Sequence, residues 1–183
     1  RSSERADDSP SELLQKTESP LADSAVIALD LSKDAVKCAS RGGNDVCWLV
    51  SDLSRIPLKD NSIDCILNIF TPANYGEFQR ILTDEGRILK VIPGEDHLRE
   101  LRQAVRQQII NKEYSNQQVI RHIEKHFRLI EQIPLKKTMS LRPEQLGCLF
   151  DMTPLLFHVD REERKKLTIA EITVDACLLV GKK

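Results

Sequence analysis

Along most of its length the chain alternates between short unbroken apolar runs and stretches whose apolar residues recur at helical spacing. AVIALDLS, residues 25–32, is the first run and ends around Asp30; VCWLVSDL, SIDCILNIF and RILKVIPG follow. A run of this kind fits a strand buried on both faces, as in a parallel sheet. The expected strand ends fall near Asp30, Val50, Phe70 and Ile92. Between the runs, Ser32 followed by KDAVKCASR predicts a capped helix, and GEFQRILTD predicts a helix that stops near Gly86. Further on, Leu98, Leu101, Val105 and Ile109 recur at helical spacing from His97 to about Ile110, and NQQVIRHIEKHF is amphipathic. FRLIEQIPLKKTMSL and EITVDACLLVGK read as two late strands with a helical segment between them. Strand–helix alternation through residue 92 predicts an α/β sheet of mostly parallel strands, with the two late strands as an antiparallel pair at one edge. At the front, RSSERADDSP reads as a disordered tail, and SELLQKTES as a short helix capped by Ser11 and ended by Pro20.

Composition narrows this picture only a little. The 183 residues suffice for one domain with a buried core, and 40% apolar with 30% charged residues is ordinary for a soluble globular chain. Lys and Arg total 27 against 28 Asp and Glu, a net charge of -1, so the balance carries no sign of nucleic-acid binding. Any RNA contact needs a local basic patch. Lys136-Lys137 and Arg161 to Lys166 are the candidates, and the second is interleaved with Glu162 and Glu163 in the manner of a solvated helix face. Five cysteines occur with no metal-ligand spacing, so no metal site is predicted and all five are read as reduced. Three of them, Cys65, Cys148 and Cys177, lie in apolar runs and are expected to act as small hydrophobes. No run approaches the length of a membrane span and no signal peptide opens the chain, which predicts a cytoplasmic protein with no membrane contact.

Candidate chemistry gathers at the carboxyl ends of the four predicted strands, the edge at which open α/β sheets bind ligands. Asp30, just after VIAL, can accept hydrogen bonds from both hydroxyls of a ribose, whether of a nicotinamide cofactor or of S-adenosylmethionine; a helix-capping or turn residue would look the same. Ser51, Asp52 and Leu53, after CWLV, can meet an adenine amino group and pack on its ring, or simply turn the chain. Asn68-Ile69-Phe70-Thr71-Pro72 offers a hydrogen-bonding amide, a stacking face and a rigid turn, although by composition it is an ordinary loop. Pro93-Gly94 permits a sharp turn ahead of His97, which as a lone histidine is more commonly a helix-terminus residue.

Taken together, the segments LDLSKDAVKCASR, VSDLSRIPLKDNSIDCILNIFTP, EGRILKVIPGEDHLRELR and LFDMTPLLFHVD resemble the large-subunit ribosomal RNA guanine-N1 methyltransferases from Leu29 to about Lys183. PLKDNSID is common to many methyltransferases of the wider superfamily, whereas PGEDHLREL and DMTP are more particular to this family. The resemblance implies a Rossmann-like class I methyltransferase sheet, S-adenosylmethionine as cofactor, and ribosomal RNA as partner. It implies that Asp30 and Leu31 serve the ribose, that Ser51, Asp52 and Leu53 serve the adenine, and that Asn68, Phe70, Thr71 and Pro72 flank methyl transfer. His97 and Met152-Thr153-Pro154 would line the acceptor pocket; a carboxylate, a histidine or a backbone carbonyl could take the guanine N1 proton, and His97 is a candidate. A homodimer is an assembly compatible with this reading.

The family pattern also includes an amino-terminal zinc module and a glycine-rich cofactor loop, and no glycine here precedes Gly42. The expectation is therefore a domain at residues 21–183 whose first strand is missing, preceded at residues 1–20 by a tail and a remnant of the first helix. Rival readings are a non-catalytic remnant or scaffold, a methyltransferase acting on a small molecule, and a nicotinamide dehydrogenase that shares the Asp30 logic alone.

Overall fold

The computed structural model describes residues 25–42, 46–105, 116–153, 159, 162, 164 and 167–183. The chain divides into two compact units, one ending at Arg55 and the other beginning at Ile56. The predicted amino-terminal tail and the SELLQKTES helix lie outside the described residues, as does Pro154.

In the first unit, β1 (Val26–Asp30) and β2 (Val46–Val50) pair in parallel from Val26↔Val46 to Asp30↔Val50. The Ser51 N–H donates to the Asp30 carbonyl at 3.1 Å and extends the pairing by one residue. Helix α1 (Lys33–Ala39) starts where the sequence predicts, because the Ser32 hydroxyl accepts the Ala35 N–H at 3.2 Å and satisfies one of the orphan donors of the first turn.

In the second unit, β3 (Ile63–Ile69), α2 (Tyr75–Ile81), β4 (Leu82–Pro93), α3 (Arg99–Ala104), α4 (Gln117–Glu124), β5 (Arg128–Ser140), α5 (Pro143–Met152) and β6 (Glu171–Lys182) follow one another. The strands form one sheet in the order β3-β4-β6-β5. β3 and β4 are parallel, and β6 runs antiparallel to both of its neighbours. Three of the four strands therefore point the same way, and the antiparallel carboxyl-terminal pair stands as predicted. β6 inserts between β4 and β5, which leaves β5 at the edge, where Pro134 can lack an N–H without breaking an inner ladder.

Leu82, Ile88, Leu101, Ile123 and Leu179 are fully buried. One cluster joins Leu101 and Val105 to Leu146, Phe150, Val159 and Ile172. The Tyr75 ring meets those of Phe78 and Phe127 at centroid distances of 6.3 and 6.1 Å.

Three expectations need correction. The helix expected to run on to Gly86 ends at Ile81, and the strand expected at Arg87 begins at Leu82. Leu82 takes an extended backbone (φ -68°, ψ 140°) because it pairs across to Ile63 while the Ser62 N–H bonds the Ile81 carbonyl, so strand pairing overrides the local helical pattern. The strands are also not covered on both faces among the described residues: Val26, Trp48, Val50, Leu67 and Ile69 are exposed. β1 and β2 form a sheet of only two strands, and β3 is an edge strand of the other. For the same reason Cys65 is exposed, and Cys148 is exposed on α5, so neither thiol is a core residue; Cys177 is half-buried.

Candidate functional site

The first unit brings Asp30, Leu31, Ser51, Asp52 and Leu53 to one end of the β1–β2 pair, because Asp30 and Val50 are cross-strand partners. The Asp30 Oδ1 accepts the Ser32 N–H at 2.7 Å, which shapes the turn into α1. This is the turn role that the sequence admitted; the carboxylate is exposed and keeps a second oxygen. Leu31 is 71% exposed. The Asp52 Oδ1 accepts the Ser54 N–H at 2.6 Å in a similar turn, and the Ser51 hydroxyl donates to the Asp52 carbonyl at 3.2 Å. Two carboxylates on adjacent parallel strand ends, with an apolar side chain beside them, are acceptors of the kind that ribose hydroxyls and an adenine amino group can donate to.

In the second unit, the segment after β3 and the turn after β4 lie at the same sheet edge. Register places Asn68 opposite Lys90 and Ile69 opposite Val91, and the Phe70 N–H donates to the Val91 carbonyl at 3.1 Å. Phe70 holds a positive φ of 50°, a conformation uncommon outside glycine and worth notice in an aromatic residue. Its ring sits 4.9 Å from the His97 ring at an interplanar angle of 43°. The two residues singled out separately in the sequence are thus in contact. Phe70 is 47% exposed and so offers a face to a partner. Burial pulls His97 below the ordinary histidine range, helped by the Arg102 guanidinium and only partly opposed by Asp175, so its imidazole is neutral near pH 7. The buried His97 Nδ1 has no hydrogen-bond partner among the described residues.

Asn68 is 6% exposed and fully engaged. Its Nδ2 donates to the Thr71 hydroxyl at 2.7 Å and to the Pro72 carbonyl at 3.0 Å, and its Oδ1 accepts from the Lys90 Nζ at 2.5 Å. Asn68, Thr71 and Pro72 therefore form one hydrogen-bonded loop that presents Phe70.

Several residues of this architecture escaped sequence reasoning. Asp175, on β6, fixes the Pro93–His97 turn: its carbonyl accepts the Gly94 N–H at 2.8 Å and its Oδ2 accepts the Asp96 N–H at 2.9 Å. Its carboxylate fills the space beside Gly94 in which a Cβ would stand 2.4 Å from Cγ. Arg80 binds the PLKDNSID segment to α2, donating to the carbonyls of Leu58 and Ile56 and to the carboxylates of Asp60 and Glu77, at 2.7–2.9 Å. Those carboxylates hold its guanidinium charged well beyond the usual range. Apart from the Glu77–Arg80 pair on α2, these contacts join residues too far apart in sequence to leave a periodic trace. Lys90 had a signal, since a lone lysine inside the apolar run RILKVI departs from the pattern of its strand. Met152 is exposed and Thr153 buried, the Thr153 hydroxyl donating to the Leu149 carbonyl at 2.6 Å; no hydrogen bond joins either to Phe70 or His97 among the described residues.

A sequence profile described as a methyltransferase domain matches residues 10–91. Over 158 residues the chain is 34% identical to YxjB of Bacillus subtilis, which its name assigns provisionally as a 23S rRNA (guanine-N1)-methyltransferase; the match covers 85% of this chain and 56% of that protein. Over 151 residues it is 32% identical to a Streptomyces fradiae protein named 23S rRNA (guanine(748)-N1)-methyltransferase, covering 82% of this chain and 53% of that protein. The chain thus spans about half the length of these curated relatives. Among solved structures, a Bacillus halodurans protein titled provisionally as a methyltransferase superposes with a TM-score of 0.53 at 16% identity, over 86% of this chain and 82% of that one.

Proposed function

The chain carries a methyltransferase domain of the class I fold and is homologous to proteins named 23S rRNA guanine-N1 methyltransferases; from that premise we propose that it is the cofactor-binding and catalytic part of an enzyme that methylates N1 of a guanine in large-subunit ribosomal RNA. The observation that carries this reading is the position of the candidate residues, all at the carboxyl ends of parallel strand pairs. S-adenosylmethionine is the cofactor, and when bound it supplies an electrophilic methyl group. The exposed Asp30 carboxylate would hold its ribose, with Leu31 alongside, and Ser51, Asp52 and Leu53 would hold its adenine.

On the acceptor side the work of the protein is alignment and exclusion of water, because methyl transfer from a sulfonium needs little acid catalysis. Phe70 provides a face on which a guanine taken out of its stack can rest, a contact that contributes about 1–3 kcal/mol. Asn68, Thr71 and Pro72 fix where that face stands. Guanine N1 must lose a proton, and in this reading His97, neutral near pH 7 and in contact with Phe70, is the candidate to receive it. No helix among the described residues is long and apolar enough to cross a membrane.

Primer extension on 23S ribosomal RNA tests this reading. Methylation at N1 blocks Watson–Crick pairing, so reverse transcriptase should stop at one guanine after incubation with the full-length gene product and S-adenosylmethionine, and not without the cofactor. Full read-through in both reactions, with methyl label entering a small molecule instead, would establish the small-molecule reading.

A further inference from the structure

β4 buries Gly86, Ile88, Lys90 and Ile92 at alternate positions, the period of one strand face. Three of the four fit an apolar face, and the fourth ends in an amine. Lys90 is only 4% exposed, yet among the described residues no carboxylate pairs with it, and burial alone draws its ammonium below the ordinary lysine range. A methionine would fill the same space without desolvating a charge. What the lysine adds is two bonds, one to the end of β3 and one to the loop after it: its Nζ donates to the Asn68 Oδ1 at 2.5 Å and to the Thr71 carbonyl at 3.0 Å.

These bonds decide the orientation of an amide. Asn68 and Lys90 are cross-strand partners, so their side chains share a face. With its oxygen turned to the Lys90 amine, Asn68 must turn its nitrogen to the Thr71 hydroxyl and the Pro72 carbonyl. The reverse orientation would set an NH2 group against the amine and a carbonyl oxygen against the Pro72 carbonyl, losing two of the three bonds, while the Thr71 hydroxyl could donate as readily as it accepts. Between Asn68 and Thr71 stands Phe70 at positive φ, with its N–H on the Val91 carbonyl. That backbone is held from both ends.

We propose that Lys90 is a positioning residue for the methyl-transfer loop, orienting the Asn68 side chain and thereby fixing Phe70 against His97. The inference rests on the reading of Asn68–Pro72 as the acceptor side of a methyltransferase, and its test has one arm that does not. In the first arm, nuclear magnetic resonance of the full-length protein without ligand follows the side-chain amide protons of Asn68. They should be resolved and slow to exchange in the wild type, and should move to the positions of a free asparagine in Lys90→Met. In the second arm, steady-state methyl transfer should show kcat falling about 10²-fold in Lys90→Met, the loss typical of a reactant displaced by about 1 Å. KM for the cofactor should stay within twofold and the unfolding midpoint should not fall. The double variant Lys90→Met/Asn68→Ala should be no slower than Asn68→Ala, because the lysine acts through the asparagine. Lys90→Gln, which keeps an NH2 donor group without the charge, should fall between the wild type and Lys90→Met.

Unchanged Asn68 signals, an unchanged kcat, or additive losses in the double variant would overturn the proposal. Loss of the fold in both Lys90→Met and Lys90→Gln would overturn it too, by making Lys90 a structural residue. A wild type without methyl transfer would sink the functional reading alone, leaving the resonance arm to decide on Lys90.

Discussion

A side chain at Gly94 would stand 2.4–2.5 Å from three atoms of the Asp175 carboxyl group. That carboxylate also accepts the Asp96 N–H, so it cannot move without releasing the turn that leads to His97. Gly94→Ala should therefore cost about 1–3 kcal/mol of stability, the range of an overpacked buried site, read as a lower urea midpoint with an unchanged slope. Asp30 makes the opposite case, because it is exposed and its loss removes a ligand contact more than a packing contact. If it holds both ribose hydroxyls, Asp30→Ala removes two charge-assisted bonds worth about 1.5–3 kcal/mol each, and calorimetric titration with S-adenosylmethionine should record affinity weaker by about a hundredfold or more. Unchanged affinity would leave Asp30 with its turn role alone. At this scale the sequence singled out Phe70 and His97 one by one, and the fold brings their rings into contact. The sequence was silent on Asp175, whose role rests on bonds to residues about 80 positions away.

Between elements, one carboxylate ties α3 to β6. The Glu100 carboxylate accepts the Thr173 N–H at 2.8 Å and the Thr173 hydroxyl at 2.6 Å, and Thr173 is fully buried. Burial pushes the Glu100 carboxyl upward, but the bonds from Thr173 outweigh it, with help from Arg99, and hold the group at about 2. In the unfolded chain a glutamate titrates near 4.3. A depressed folded value means that its stabilisation is fully present above the unfolded value and is lost as pH falls through about 2. Urea midpoints of the wild type should thus decline between about pH 4.5 and 2 more steeply than those of Glu100→Gln; parallel curves would contradict the assignment. The strands themselves were legible as apolar runs, with β6 matching its predicted span from Glu171 to Lys182. The α2–β4 boundary was not, because Ile81 and Leu82 continue a helical pattern that pairing with Ser62 and Ile63 overrides.

Over the whole molecule, charge and topology say different things. A net charge of -1 gives the chain no general attraction for nucleic acid, so RNA affinity cannot be read from its sum. Topology places the candidate residues at strand ends, and homology joins the chain to proteins named as guanine-N1 methyltransferases over about half their length. The specific reading came from motif resemblance, because composition could not separate it from a small-molecule methyltransferase. The direct measurement is nucleoside analysis. The full-length gene product would be incubated with 23S ribosomal RNA and methyl-labelled S-adenosylmethionine, and the RNA digested to nucleosides and resolved by mass spectrometry. The account predicts label in 1-methylguanosine and in no other nucleoside. Label at another position of guanine, in another base, or nowhere in the RNA would contradict it.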